Sequence, residues 1–229
     1  MSISSVDNID SAGMDSAARQ VLRERSYLYN LLSRLYEREV DEPLLEQILT
    51  SSRSVADGHM LPQDFVTQTS SRGAAQATQE LAAEFTALFI GGKRKRRVFP
   101  YESVYTSADR LLMQEARDAV ASIYRDAQLN LREDFREPED HLALELAYMA
   151  HLNIQASQAE QIKSIQQAID LQQSFYRQHL MVWAPAFCAD LKKAARSAFY
   201  VWLAEFTSDF LAAEDESLQQ LCRQFHLGE

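Results

Sequence analysis

Glycine limits what this chain can fold into more than any other residue, because it is missing over so long a stretch. Of 229 residues only six are glycine: Gly13, Gly58, Gly73, Gly91, Gly92 and Gly228. None falls between Lys93 and Leu227. Sheets joined by tight turns need glycine where φ is positive. The sequence therefore predicts helices joined by short loops, and its periodicity agrees. Leu28, Leu31, Leu32 and Leu35 follow the i, i+3, i+4, i+7 spacing of one helix face, as do Leu81, Phe85, Leu88 and Phe89. Ile162, Ile165 and Ile169 continue the pattern, followed by Phe199, Leu203, Phe206 and Phe210.

A coarse reading places helices near 15–39, 43–50, 74–90, 107–126, 138–155, 158–182, 186–212 and 215–225. Residues 51–73 read as loop with a short helix, and residues 91–106 as irregular, with "RRVFPYESVY" the one strand-like run. Residues 1–14 are expected to be a mobile tail, and 15–229 a single all-α domain of roughly 8–11 helices. No repeat at the period of a helical solenoid is present.

Composition excludes several functions. A net charge of −10 makes the chain a poor generic binder of nucleic acid or anionic membrane, and a plausible receiver of basic peptides. The N-terminus lacks the basic and apolar regions of a secretory signal. No apolar run approaches a membrane span, so a cytoplasmic protein without stable membrane insertion is expected. The two cysteines, Cys188 and Cys222, stand alone in apolar patterns and are read as reduced thiols, not zinc ligands.

The densest chemistry lies in "REPEDHLALELAYMAHL", residues 136–152. Pro138 suits the first position of a helix, and Glu139 and Asp140 would then sit in a first turn that favours carboxylates. Leu142, Leu146, Met149 and Leu152 would form its buried stripe. One reading is thus a capped core helix. Another uses His141 and Glu145, four apart on one face, as metal ligands of a helical hydrolase. A di-iron bundle needs a second carboxylate–histidine helix, and none occurs. H-E-x-x-H and G-x-S-x-G motifs are also missing. No catalytic residue, metal or other cofactor is therefore expected.

Two further runs stand out. "GGKRKRR", residues 91–97, carries five basic residues but not G-x-x-x-x-G-K-[ST], so it is no phosphate loop. On so acidic a chain, Lys93, Arg94, Lys95, Arg96 and Arg97 read as a solvent-facing docking patch, not a nucleic-acid site. "FPYESVY", residues 99–105, puts aromatic rings and a carboxylate in a loop, which suits a binding groove or a core plug equally well.

Taken together, "EFTALFIGG", "FPYESVY", "EPEDH", "HLMVWAPAF" and "SAFYVWLAEF" resemble the TorD/DmsD family of cytoplasmic redox-enzyme maturation chaperones, from about Tyr27 to Phe210. The resemblance implies a family-specific helical fold. It also implies a chaperone that binds the twin-arginine leader, the apo form, or both, of a molybdenum-cofactor oxidoreductase and holds it until cofactor insertion and export. A nitrate-reductase assembly chaperone, with no exported leader to hold, is the related alternative. The binding region it implies comprises Leu88 and Phe89; Tyr101, Glu102 and Ser103; and Glu137, Pro138, Asp140 and His141. Guanidinium groups would meet the acids of residues 133–145, and Asp140 or His141 would open onto a groove beside Tyr101. His141 would make holding pH-sensitive. The client is not named by these motifs, and the oligomer is a monomer or a segment-exchanged dimer.

Overall fold

A computed structural model describes residues 16–52, 61–91, 96–132 and 135–226. The expected tail and Lys93, Arg94 and Lys95 lie outside them. Nine helical rods make up the described residues, with no strand among them, so the all-α expectation holds. In chain order they begin with α1 (Ser16–Glu37), α2 (Glu42–Ser52), α3 (Gln63–Arg72) and α4 (Ala74–Phe85). A π-helical turn, Thr86–Ile90, prolongs α4. Then come α5 (Glu102–Thr106), α6 (Glu115–Asp126) and α7 (Leu142–Gln158). A single rod joins α8 (Ile162–Phe175), a π-helical turn (Tyr176–Leu180) and α9 (Met181–Ala194), and α10 (Ala198–His226) closes the chain.

The centre is α7. Leu142, Leu146, Met149 and Leu152 are buried as the stripe predicts, but so are Ala143, Glu145, Tyr148 and Asn153 on other faces. A helix buried nearly all round belongs in the middle of a bundle. Its most extensive partner is α1, with α8 against another side and α10 lying across α8 and α9. Between them sits an aromatic lattice. Tyr36 meets Phe187 edge-on at 5.6 Å between ring centroids, and Phe85 meets Phe89 at 4.9 Å. Cys188 is buried in this core, which pushes its thiol up to about 12, while Cys222 is half-buried; neither is bonded to another cysteine.

Four expected boundaries move. The break anticipated at Pro185 is absent, because Pro185 lies inside α9. A proline costs one N–H and a clash one turn back, and the helix carries on through it, with a π-helical turn at Tyr176–Leu180 just upstream. The true break is Ala195–Ser197, where the α10 N-terminus is met from a distance: Glu84 of α4 accepts the Ser197 N–H at 3.0 Å. No break occurs near 213 either: α10 runs on to His226, and Glu214 of the polar run there turns inward. Glu214 takes Arg25 at 2.6 Å and the Tyr29 hydroxyl at 2.7 Å, all buried.

The helix expected from 107 starts at Glu115 instead. Before it, Arg110 and Met113 adopt positive φ of 53° and 60°, a conformation that breaks a helix. The segment read as irregular contains the one-turn helix α5, and its strand-like stretch makes a single antiparallel bridge, Tyr101 with His141. The start of α7 also differs. Pro138 is not its first residue; Pro138 O accepts from His141 N at 3.1 Å in a tight turn, and α7 begins at Leu142 with His141 as its cap.

Candidate functional site

Residues 98–106 and 137–142 are far apart in sequence, and main-chain hydrogen bonds stitch them together. Glu102 N donates to Asp140 O at 3.0 Å, and Leu142 N donates to Pro100 O at 2.9 Å. Upstream, Val98 N donates to Leu88 O at 2.9 Å, which ties the loop to the π-helical turn that ends α4. The three motif groups are therefore neighbours in space.

The side chains lock the stitch. Asp140 does not cap its own helix. Its Oδ2 accepts the Ser103 N–H at 2.8 Å, so it caps α5 from across the loop. Ser103 Oγ in turn accepts from Gln114 N at 3.2 Å and fixes the approach to α6. His141 caps α7: its Nδ1 accepts the Ala143 N–H at 3.1 Å. Its ring is sandwiched edge-on between Tyr101, at 5.0 Å, and Phe135, at 5.7 Å.

Burial sets the electrostatics. Asp140 is 0% exposed and His141 4%. Desolvation raises the Asp140 carboxyl above its ordinary value, against the lowering effect of Ser103. It pulls the His141 imidazole down to about 3, so this ring is neutral at neutral pH. Neither expectation for the pair survives: no polar tip of Asp140 or His141 opens to a groove, and His141 is no sensor near pH 7. Leu88 and Phe89 are core residues as well. Phe89 packs on Tyr36, Phe85 and Tyr200.

What remains at the surface is narrower than the sequence suggested. Glu137 is exposed, and Tyr101, Pro138 and Glu139 are half-buried. The Tyr101 hydroxyl donates to Glu137 Oε2 at 2.6 Å, and burial together with that carboxylate pushes the phenol well up. Glu139 binds Arg117 of α6, with Nη2 donating at 2.8 Å. The described acids of 137–145 thus do not form one anionic face: Asp140 and Glu145 turn inward, Glu139 is paired, and Glu137 faces out. An open groove of about 410 Å³ runs past Phe135 between α1 and the first turns of α7, lined in part by Tyr124, Leu129, Leu144 and Tyr148.

The metal-binding alternative fares poorly in this geometry. His141 Nδ1 is committed to its cap, and Glu145 Oε2 accepts the Trp183 indole N–H at 3.0 Å. Among the described residues no group of three or more His, Cys, Asp or Glu is arranged to hold a metal ion. The two described residues of the basic run, Arg96 and Arg97, are less free than expected. Arg96 is half-buried, with Nε donating to Ala194 O at 3.2 Å and Nη2 lying 3.4 Å from Glu84. Arg97 lies over the Phe99 ring at 4.7 Å. Sequence reasoning missed Gln114, Arg117, Glu145 as a partner of Trp183, and His179, whose Nδ1 lies 2.8 Å from Glu102 Oε2. These pairs join residues far apart in the chain, and no spacing rule reports them.

The chain is similar to known proteins over most of its length. The model of the nitrate reductase delta subunit family matches residues 39–189. A chaperone protein TorD from Shewanella piezotolerans is 30% identical over 217 residues, which covers 88% of this chain and 95% of the relative. TorD from Vibrio cholerae is 29% identical, with 90% and 98% covered. TorD from Vibrio parahaemolyticus is 28% identical over 198 residues, with 82% and 91% covered. No described helix is long and apolar enough to cross a membrane. With the match spanning both stitched loops and most of the helical core, the chain belongs to the nitrate reductase delta subunit family, beside the TorD chaperones of redox-enzyme maturation.

Proposed function

We propose that this chain is a cytoplasmic chaperone that binds the twin-arginine leader of a molybdenum-cofactor oxidoreductase, holding the apoenzyme until its cofactor is inserted. The observation that carries this reading is the exposed Glu137 carboxylate, fixed by the Tyr101 hydroxyl at the lip of the stitched loops. A held carboxylate suits a guanidinium, which prefers planar, charge-assisted pairing. The apolar part of a leader would lie in the groove past Phe135, where aromatic and aliphatic side chains offer burial. Leu88, Phe89, Glu102, Ser103, Pro138, Asp140 and His141 serve this surface from beneath by holding its two loops in register.

A related reading is favoured by the match to the nitrate reductase delta subunit family. In it the chain holds a catalytic subunit that carries no leader. Calorimetry separates the two. A synthetic twin-arginine peptide should bind, its twin-lysine version should bind about ten-fold more weakly, and Glu137→Gln should lose a similar factor, the scale of one hydrogen bond to a charged group. Equal binding of the arginine and lysine peptides overturns the leader reading. A leaderless apo-subunit binding as tightly as the full one would move the function to the assembly reading.

A further inference from the structure

Close to the exposed Glu137 stands a second carboxylate whose partner comes from within the chain. Glu139 lies two residues on, across Pro138, whose carbonyl closes a tight turn with His141 N at 3.1 Å. Arg117, in the first turn of α6, grips Glu139 at two points: Nε donates to Oε2 at 2.5 Å and Nη2 to Oε1 at 2.8 Å. That is the forked pairing for which guanidinium and carboxylate are matched. Both side chains stay partly open to solvent, Arg117 at 28% and Glu139 at 22%. A third bond, from Nη1 to Asp118 Oδ1 at 3.0 Å, ties the same guanidinium to its sequence neighbour.

The clasp that residues 98–106 form with residues 137–142 therefore carries two carboxylates in different states. Glu137 is held by the Tyr101 hydroxyl at 2.6 Å, which supplies a hydrogen but no charge. Glu139 already holds a guanidinium. Two α-carbons two residues apart are at most about 7 Å from each other, so two adjacent arginines, with their long side chains, span both acids. We propose that Arg117 is an internal stand-in for the second arginine of the leader: it occupies Glu139 until a twin-arginine peptide, anchored by one guanidinium at Glu137, displaces it with the other. This rests on the leader reading above, and adds to it what the second arginine does.

Swapping one guanidinium for another keeps the forked bond at Glu139. A lysine ammonium is a point charge and does not reproduce the fork, so it displaces Arg117 poorly. Asp118, 74% exposed at its side chain, still offers the released Arg117 an acid. The main chain need not move. Arg117 N donates to Gln114 O at 3.0 Å, and Gln114 N is fastened to Ser103 Oγ at 3.2 Å. An internal occupant lowers apparent affinity by the fraction of time that it fills the site. An ion pair this open to solvent is a weak one, so emptying Glu139 should raise affinity by about two- to five-fold.

The nitrogen-15 signal of the Arg117 Nε–H in the full-length wild-type protein reads the exchange directly. On saturation with a synthetic twin-arginine peptide it should move to the position of a solvated guanidinium, and with the twin-lysine peptide it should stay. By calorimetry, Arg117→Gln should bind the twin-arginine peptide about two- to five-fold more tightly than wild type. Peptides with either arginine replaced by glutamine should gain less, having no second guanidinium to place. In a Glu139→Gln background the gain from Arg117→Gln should vanish. Amide exchange at Ser103 checks that the variant leaves the clasp closed; should it loosen, the wild-type signal alone decides. An Arg117 signal that does not move at saturation overturns the proposal and leaves the leader reading standing. So does an Arg117→Gln protein that binds no more tightly with its clasp closed, or an equal gain for single-arginine peptides. No binding of the twin-arginine peptide by either protein overturns both.

Discussion

Asp140→Ala removes the acceptor of the Ser103 N–H while leaving the main-chain stitch, Glu102 N to Asp140 O and Leu142 N to Pro100 O, in place. Both residues are 0% exposed, so water does not take over the lost role at the surface. An orphaned buried donor costs about 1–3 kcal/mol. Set against this, the carboxylate is itself penalised by burial and has one unpartnered oxygen, so the lower half of that range is expected. One to three kcal/mol is about five- to 150-fold in a local opening equilibrium. The effect should appear at Ser103 and its α5 neighbours as faster amide hydrogen exchange, read by nuclear magnetic resonance, with amides of α1 and α7 little changed. Asp140→Asn retains an oxygen for the same bond and caps nearly as well, so its exchange should stay within a few-fold of wild type. If the Ser103 amide exchanges no faster in Asp140→Ala, the carboxylate does not fasten the clasp. If Asn and Ala behave alike, the bond from Ser103 N–H to Asp140 Oδ2 is not the reason.

Two other outcomes follow from buried charge. Glu214→Ala strands the Arg25 guanidinium, whose Nε and Nη1 already have no partner, and should cost about 3–5 kcal/mol in urea unfolding; a loss under 1 kcal/mol would mean that water reaches Arg25. His141 is depressed to about 3 from an unfolded value near 6.5, so its contribution is complete above 6.5 and is lost as pH falls toward 3, by up to about 1.4 kcal/mol per unit. His141→Asn, with an oxygen to cap Ala143, should flatten that acid slope, and an unchanged slope would place it elsewhere.

Much of the fold was legible because it is local. Leu81, Phe85 and Leu88 are buried as their spacing predicts, and so are Ile165, Ile169, Phe199 and Leu203. The outer members of the same stripes are not: Ile162 is 49% exposed. Failures concentrate where a distant residue overrides a local rule. Glu214 inside "AAEDES" looks like a loop until Arg25 and Tyr29 receive it. Pro185 looks like a helix end, yet α9 runs through it. The break at Ala195–Ser197 carries no glycine or proline, and depends on Glu84, over a hundred residues earlier. At the site, the motif groups prove to be neighbours in space, but spacing could not tell which carboxylates face outward.

That distinction bears on what the motifs do. Had Asp140 and His141 been contact residues, their polar atoms would have reached the surface, but both residues are buried. Asp140 spends Oδ2 on Ser103, and His141 spends Nδ1 on Ala143. A buried lock can influence a client only through the surface it positions, here Tyr101 and Glu137. Loss of either lock residue should therefore change binding through the mobility of the clasp, whereas Glu137→Gln should change it with the clasp intact. Exchange at Ser103 and affinity for the leader peptide, measured on the same variants, separate the two: coupled changes mark a positioning residue, and affinity lost without faster exchange marks a contact.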